Sequence, residues 1–597
     1  MQHCSWLSLL SILIMSSPVL GATEVPLPPI ERWHGASEKL LAKVPEEWRT
    51  PAEASNFATT PDYATTLEFL QRLDAASPLI SLHEFGRSSE GRPLVVAIAS
   101  RDGDHSFAAL RRSSRARVLA QGGIHSGEID GKDAGLMLLR DIVSGRRADV
   151  LENASLLFVP VYNPDGHERK DGMRRMNQRG PDNAGWRTTA RNLNLNRDYT
   201  KLDAPESVAM AALLGALEPD LYLDLHVTDG MDHQYDVTYG FNNIAPWSPG
   251  AARWLTNTFR PAIEARLTKG GHVPGPFMME RDARDPTQGL YDGRGIARFS
   301  TGYGDLIHVP SVLVENHSLK PYRQRVLGTY LLVEESLRVA GRDVAALRAA
   351  IAEDRARRPS SLPVVFAQQK TPARKETFKG IASEFFESPI SGQRELRYLG
   401  KPVKQQADVY MDEPTVFVPR PAAYWIPRSR PDVAEKLRQH GVVVEEIPAA
   451  VTNTLTFYRL REPKVATAAF ESRVPVSIAG VDTQLIEQTW PAGSWRVSTD
   501  QPLGDLAMVL LEPQSTDSLF QWGFMHDVLQ RTEYYENYIM EPLAQRMLEK
   551  DPSLREQWQE ALKDPELAKN PNARLDWFYS RSGLMDDKYL VYPIARE

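Results

Sequence analysis

The residues best suited to chemistry in this sequence are two histidines and a glutamate. The run His125-Ser126-Gly127-Glu128 is followed much later by Asp224-Leu225-His226. A zinc ion that catalyses hydrolysis takes three protein ligands, commonly two imidazoles and a carboxylate, and keeps a fourth position open for water. His125, Glu128 and His226 supply such a set and predict one Zn²⁺ ion per chain. A short His-x-x-Glu run also occurs by chance, so a purely structural role for these side chains is the alternative.

The first two of these residues are expected in a loop between a strand and a helix. Arg117 to Gln121 has the apolar pattern of a buried strand, and Gly122-Gly123 lets the chain turn sharply after it. A helix is predicted from Asp130 to Val143, because its apolar side chains recur on one face. His125 and Glu128 therefore lie in a strand-to-helix loop, where α/β folds commonly carry their chemistry.

Strands and helices alternate along the first part of the chain. The further predicted elements are the strands Leu94–Ser100, Leu156–Val161, Leu221–Leu225 and Ser311–Val314 and the helices Pro205–Leu217 and Tyr322–Val339. Such an alternation predicts an α/β fold with a mixed, mostly parallel sheet sandwiched by helices. His226 and Glu315 each follow a predicted strand directly, so polar residues gather at one edge of the sheet.

The length and composition favour a globular protein with more than one domain. The chain has 597 residues, of which 42% are hydrophobic and 25% are charged, and this is too long for a single core. A formal net charge of -7 provides no basic surface for DNA or RNA, so no nucleic-acid partner is expected. Cys4 is the one cysteine, which excludes a disulfide framework.

Four segments are expected along the chain. Residues 1–22 are mostly apolar, end in small residues and are predicted to be a signal peptide, with an uncleaved anchor as the alternative. An extended lead is predicted over 23–57 and a catalytic domain over 58–350. A charged, proline-bearing stretch near 355 precedes a C-terminal domain, 362–597, that is rich in short strands, has a helical tail and receives no predicted role. Export to the periplasm or out of the cell is expected, with no stable membrane span after signal cleavage.

Several short motifs occur in order between Pro61 and Val339. They are Gly86 to Leu94 with the pattern G-x-S-x-E-G-R-P-L, His125-Ser126-Gly127-Glu128, Asn163-Pro164-Asp165-Gly166, Arg175-Met176-Asn177, Asn194-Leu195-Asn196-Arg197, His226 and Glu315. In this order they resemble the catalytic domain of the zinc metallocarboxypeptidases of the carboxypeptidase A/B type. The resemblance covers roughly half of the chain. It implies an enzyme that hydrolyses the C-terminal peptide bond of peptides or proteins with a zinc-activated water.

Two residues are expected to act on the reacting groups. Hydrolysis of a peptide bond needs a base for the water, a group that holds the oxyanion and a proton for the leaving amine. Glu315 follows an apolar strand, and partial burial there would raise its pKa and suit it as the general base. The resemblance implies that Glu315 also returns the proton to the amine. It further implies that Arg175 stabilises the oxyanion, with Arg174 and Arg179 as rivals for that role.

Three further residues are implied to bind the substrate. Asn196 and Arg197 correspond to the pair that grips the terminal carboxylate, for which arginine offers two parallel hydrogen bonds. A tyrosine near the substrate is also expected, and Tyr303 is preferred to Tyr291. The chain departs from the family pattern at Asn194, where an aspartate commonly orients a zinc-ligating imidazole. An amide accepts the same hydrogen bond but adds no charge.

Two other functions fit the same residues. A related zinc N-deacylase or cell-wall peptide amidase would share the three ligands and the glutamate, but it would not need a free carboxylate on its substrate. A non-catalytic peptide-binding protein would keep the fold, although such a protein has no reason to retain a base beside a metal. The pocket for the cleaved side chain is expected to be built from the region between Gln288 and Leu306.

Overall fold

The computed structural model describes most of the chain, namely residues 25–30, 32–170, 175–242, 247–293 and 295–597. The predicted signal peptide, 1–22, lies outside these residues, and so does Arg174. Within the described ranges, no helix is both long enough and apolar enough to cross a bilayer.

Helices and strands alternate in the first half of the molecule, defined here as residues up to 356. The strands are β1 (Ile80–Arg87), β2 (Pro93–Ala99), β3 (Ala116–Gly122), β4 (Ala154–Val159), β5 (Leu221–Thr228), β6 (Val237–Gly240), β7 (Pro274–Pro276), β8 (Met279–Glu280), β9 (Leu290–Asp292) and β10 (Ser311–His317). The helices are α1 (Pro51–Ala54), α2 (Tyr63–Ala76), α3 (Phe107–Arg112), α4 (Asp130–Val143), α5 (Pro164–Glu168), α6 (Pro205–Leu217), α7 (Pro249–Trp254), α8 (Arg260–Lys269), α9 (Ser300–Leu306), α10 (Tyr322–Arg342) and α11 (Val344–Ala356). The bounds predicted for α4 and α6 are those observed.

The centre of this half is an eight-stranded sheet, with the order β1-β2-β4-β3-β5-β10-β6-β7 among the described residues. The central strands β4, β3, β5 and β10 run parallel, whereas β2 joins β4 and β6 joins β10 in antiparallel fashion. Strands β3 and β4 are buried along their whole length, as expected for parallel strands that are covered on both faces. The predicted mixed, mostly parallel sheet is therefore confirmed.

Two strands continue past the points where the sequence analysis ended them. β5 runs on to Thr228 and β10 to His317, so His226 and Glu315 lie inside strands rather than after them. The apolar runs break off at polar residues, but the backbone pairing of a parallel sheet does not depend on side-chain polarity. In the register of this pair, Glu315 is the partner of His226.

The second half, residues 361–597, begins with long antiparallel strands and ends with short helices. The strands are β11 (Ser361–Gln368), β12 (Arg374–Glu387), β13 (Arg394–Pro419), β14 (Ala423–Ile426), β15 (Glu445–Glu446), β16 (Val451–Arg461), β17 (Lys464–Val465), β18 (Val476–Ser477), β19 (Gly480–Trp490), β20 (Trp495–Ser498) and β21 (Ala595–Arg596). The helices are α12 (Pro431–Gln439), α13 (Gly504–Leu511), α14 (Asn537–Lys550), α15 (Pro552–Ala561), α16 (Pro565–Lys569) and α17 (Pro571–Tyr579). Strand β13 is 26 residues long, so the second half contains long strands as well as the predicted short ones.

The two halves share a sheet and a hydrophobic cluster. Strand β13 of the second half pairs in parallel with β9 of the first, and β8 extends the same sheet. One cluster of buried side chains includes Leu119 and Tyr222 of the first half together with Leu362 and Val497 of the second. The segments 58–350 and 362–597 thus pack against each other, and their division into two domains stays a prediction.

Candidate active site

The loop between β3 and α4 brings His125 and Glu128 to the edge of the central sheet. Gly123 has a φ of +64°, which L side chains rarely adopt, and a Cβ atom at Gly122 would lie 2.9 Å from the carbonyl oxygen of Pro160. The predicted sharp turn is therefore present, and both glycines are required for it.

The structure brings together the three residues predicted to bind metal. Nδ1 of His125 lies 3.1 Å from Oε1 of Glu128, and Nδ1 of His226 lies 2.9 Å from Oε2 of the same carboxylate. All three side chains are buried, and one ligand atom of each lies within 4.8 Å of the others. In a tetrahedral zinc site with zinc–ligand distances of about 2.0–2.1 Å, the ligand atoms lie about 3.3 Å from one another. The donor set and its spacing fit zinc, and we refer to these residues as the triad.

Each imidazole of the triad has a hydrogen-bond partner on its far side. Nε2 of His125 lies 3.0 Å from Oδ1 of Asn194, and Nε2 of His226 lies 2.8 Å from Oδ2 of Asp224. Asp224 is held in turn by the Ser300 hydroxyl, which donates to Oδ2 at 2.5 Å. With Nε2–H donating to an oxygen, the neutral form of each imidazole has its Nδ1 lone pair available for a ligand position. Asn194 thus makes the contact expected of an orienting residue, without the charge of an aspartate.

The charges around the triad favour a cation. Burial lowers the pKa of His125 to about 4, which keeps this imidazole neutral and able to bind a metal. Burial alone would also lower the pKa of His226, but the carboxylates of Asp224 and Glu315 outweigh it and raise that pKa well above 6.5. The surroundings of the Nδ1 atom of His226 therefore stabilise positive charge. Either a proton or a bound metal ion can provide this charge.

Glu315 lies beside the triad, with Oε1 4.0 Å from Nδ1 of His226. Burial raises the pKa of this carboxyl to about 8, helped by the charge of Glu128 and opposed by that of His226. Within the described part of the chain, Oε2 of Glu315 is buried and has no hydrogen-bond partner. A carboxyl group with a raised pKa and a free oxygen atom can take up and release a proton near neutral pH.

Two arginines contact the carboxylate of the triad. Nη1 of Arg175 lies 3.0 Å from Oε1 of Glu128, and Nη1 of Arg187 lies 3.1 Å from the same oxygen. Arg179, a rival of Arg175 in the sequence analysis, instead donates to the carbonyl oxygen of Pro28. Arg187 was missed, because it stands in a loop without a motif and only the folded chain brings it to Glu128.

Asn196 and Arg197 reach the same site. The Arg197 guanidinium lies 4.2 Å from the centre of the Phe299 ring and donates to the backbone oxygen of Asn196 at 2.8 Å. Burial lowers the pKa of Arg197 to about 10, and no carboxylate of the described residues forms a salt bridge with it. A partly desolvated guanidinium without an acidic partner is suited to an anionic ligand.

These residues line one cavity of about 490 Å³, which we call the central cavity. Its apolar wall consists of Phe241, Phe277, Met279, Ile296, Phe299 and Leu313. Several of its lining residues belong to the region between Gln288 and Leu306, where the sequence analysis expected the pocket for the cleaved side chain. The cavity thus combines the triad and Glu315 with an apolar space next to them.

The preference for Tyr303 as the tyrosine near the substrate requires correction. Tyr303 is only 1% exposed, and its hydroxyl lies 3.0 Å from Nδ1 of His440, because α9 turns this side chain into the core. Among the described residues, Tyr303 is not part of the cavity lining, whereas Tyr291 is. Tyr291 stands on β9, and its hydroxyl donates to Oδ1 of Asp412 at 2.6 Å.

Residues 66–231 match the family model described as zinc carboxypeptidase. The chain is 24% identical to carboxypeptidase 2 of Trichophyton rubrum over 495 residues, which cover 79% of this chain and 85% of that relative. It is 29% identical to carboxypeptidase E of Caenorhabditis elegans over 239 residues, which cover 33% of this chain and 48% of that relative.

The comparison with solved structures includes a metallo-carboxypeptidase from Burkholderia cenocepacia. Its TM-score is 0.35 at 16% identity, over 47% of this chain and 69% of that chain. The range matched by the family model contains the whole triad, whereas Glu315 lies beyond it.

Proposed function

We propose that this chain, whose residues 66–231 match the zinc carboxypeptidase family model, is a zinc metallopeptidase that hydrolyses the C-terminal peptide bond of peptides or proteins. The observation that carries this proposal is that the triad, Glu315 and Arg197 line one cavity. Arg197 has no acidic partner among the described residues, and it is therefore available for the free carboxylate of a substrate. An amidase or N-deacylase would not need such a group.

The metal site is proposed to be formed by His125, Glu128 and His226. A bound zinc ion would supply a Lewis acid and lower the pKa of a water molecule. Asn194 and Asp224 hold the two imidazoles with Nδ1 directed at the site, which orients the ligands before the ion binds.

Glu315 is proposed as the general base. Its carboxylate accepts the proton of the attacking water, and the raised pKa of about 8 lets it hold this proton until the amine leaves. Arg197 and Asn196 would bind the terminal carboxylate and fix the scissile bond in the cavity. The permanent charge of Arg175, beside Glu128, would stabilise the oxyanion.

The test compares an N-acylated dipeptide with the same dipeptide amidated at its C-terminus. We expect kcat/KM to be about a hundredfold lower for the amide, because truncating one partner of a buried charge pair is costly. Zinc content is measured on the same preparation, and one ion per chain is expected. Equal rates on the two substrates would overturn the carboxypeptidase assignment in favour of an amidase or N-deacylase. A folded protein that binds zinc but hydrolyses neither substrate would favour a peptide-binding protein.

Export is proposed from the apolar segment within residues 1–22. N-terminal sequencing of the protein from the exported fraction of its native cells is expected to begin at Thr23. A chain that retains residues 1–22 and sediments with membranes would instead support the uncleaved anchor.

A further inference from the structure

The second half of the chain holds in place a strand that lines the central cavity. Strand β9, which carries the lining residues Tyr291 and Asp292, pairs with β13 of the second half. Side chains of the second half also bond to both residues. Asp412 accepts the Tyr291 hydroxyl at 2.6 Å, and Nη2 of Arg374 donates to Oδ2 of Asp292 at 2.8 Å.

Asp292 lines both the central cavity and a second space of about 480 Å³, which we call the side pocket. Both spaces are lined by Gly240, Phe241, Phe277 and Asp292. The Asp292 side chain is 17% exposed, so a group inside the cavity can approach it. A substrate side chain in this part of the central cavity would lie close to this carboxylate.

The charge of Asp292 is balanced by a residue far away in the sequence. Arg374 begins β12 and lines the side pocket, and its guanidinium contacts both Asp292 and Glu376, the latter at 3.1 Å. Phe241 and Phe277 line both spaces beside Asp292, and the charged residues Arg260, Glu264 and Glu376 also line the side pocket. An unpaired carboxylate in such surroundings would attract a cationic side chain strongly, whereas a paired carboxylate exerts a much weaker field.

We propose that Arg374 determines which C-terminal residue is cleaved, because it pairs with Asp292 and leaves the cavity suited to neutral, apolar side chains rather than to Lys or Arg. This inference rests on the carboxypeptidase function proposed above. Arg374 touches neither the triad nor Glu315 in the contacts of the described residues. It is therefore a specificity-determining residue supplied by the second half of the chain.

The test uses the full chain with one ion of zinc and four N-acylated dipeptides that differ only in a C-terminal Phe, Leu, Lys or Arg. The unmodified protein is expected to prefer Phe and Leu. In Arg374→Gln, the ratio of kcat/KM for Lys over Phe is expected to rise at least tenfold, because Asp292 loses its counter-charge. Arg374→Lys keeps a positive charge and should keep the original ratio.

A double variant and a matched control complete the design. Asp292→Asn with Arg374→Gln removes both charges and should restore a ratio close to that of the unmodified protein. Arg397→Gln removes an arginine of β13 that pairs with Glu384 at 3.2 Å on an exposed part of the same strand pair, and it should leave the ratio unchanged. A change of less than twofold in Arg374→Gln, or a raised ratio that persists in the double variant, would overturn the inference.

A variant that does not fold, or an unmodified protein without activity on these peptides, also has a defined interpretation. If Arg374→Gln does not fold, Asp292→Asn alone serves as the test. It leaves Arg374 without this partner and should lower the relative rate on the Lys and Arg peptides; an unchanged ratio would refute the role of the pair. If the unmodified protein hydrolyses none of the four peptides, the carboxypeptidase function fails and this inference fails with it. Hydrolysis with unaltered preference would overturn the inference alone.

Discussion

The triad and the wall of the central cavity are built in different ways. The triad and Glu315 come from one sheet, and the parallel register of β5 and β10 sets Glu315 next to His226. Part of the cavity wall is β9, which is paired with β13 and bonded to side chains more than eighty residues away. The groups proposed for the chemistry thus depend on the first half alone, whereas part of the wall beside them is held in place by the second half.

The largest expected effect is a loss of catalysis with the wall of the central cavity unchanged. Glu315→Gln removes the proposed base but keeps the shape of the side chain, so kcat should fall by about 10²–10⁴. Zinc content and the KM for a good dipeptide are measured in parallel and should change little. Unchanged turnover in a zinc-loaded variant would show that Glu315 is not the base.

The next effect concerns the orientation of a ligand. Asn194 accepts a hydrogen bond from His125, and Asn194→Ala should weaken zinc binding by about 10–100-fold, because the imidazole loses its outer partner. Asn194→Asp keeps the hydrogen-bond acceptor and adds a negative charge, so this variant should bind zinc more tightly than the unmodified protein. Competition with a chromophoric chelator measures both variants. Equal affinity in all three proteins would exclude an orienting role for Asn194.

A third prediction concerns the contact between the halves. His440 of the second half accepts the Tyr303 hydroxyl at Nδ1 and donates from Nε2 to the carbonyl oxygen of Thr200, 3.1 Å away. Burial lowers the pKa of His440 from 6.5 to about 4, so the folded protein keeps this imidazole neutral while the unfolded chain protonates it. The stabilisation is complete above pH 6.5 and is lost as the pH falls toward 4, by about 2 kcal/mol at pH 5.

Chemical denaturation between pH 7 and pH 5 measures this loss. His440→Gln keeps a donor and an acceptor but does not titrate, and its free energy of unfolding should fall by about 2 kcal/mol less over the same range. Identical pH dependence in the two proteins would contradict a neutral, buried His440.

The smallest expected effect concerns the hydrogen bond between Tyr291 and Asp412 at the wall of the central cavity. Tyr291→Phe removes the hydrogen bond to Asp412 and Asp412→Asn weakens it, and each should lower kcat/KM by about threefold to tenfold. The double variant should be no worse than Tyr291→Phe alone, because both changes act on the same contact. Asp408→Asn is the control, since Asp408 lies on the same strand and pairs with the exposed Lys375. Additive losses would show that the two residues act independently.

Much of the first half could be predicted from the sequence. The helical periodicity of apolar residues predicted the bounds of α4 and α6, and buried apolar runs predicted the central strands. The triad could be inferred from residue types and spacing, because a zinc site for hydrolysis requires a narrow set of ligands. The strands that carry His226 and Glu315 were drawn too short, since a polar residue ends an apolar run without ending the backbone pairing.

The remainder could not be predicted for a physical reason. Arg187 reaches Glu128 from a loop, and Arg374 reaches Asp292 across the chain, so no local spacing records either contact. The choice between Tyr291 and Tyr303 depended on which way α9 turns its side chains, and this is set by packing against His440. The strand-rich character of the second half was predicted, but the length of β13 was not, because this strand is exposed or half-buried over most of its length and has no continuous apolar run.

The buried cluster that contains Leu119 of β3 and Leu362 of β11 has a consequence for melting. If either half unfolds, apolar side chains of the other half become exposed to water. The two halves are therefore expected to unfold together. Scanning calorimetry of the intact protein should accordingly record a single heat-absorption peak. Separate peaks would mean that the shared cluster is too weak to link the two halves cooperatively.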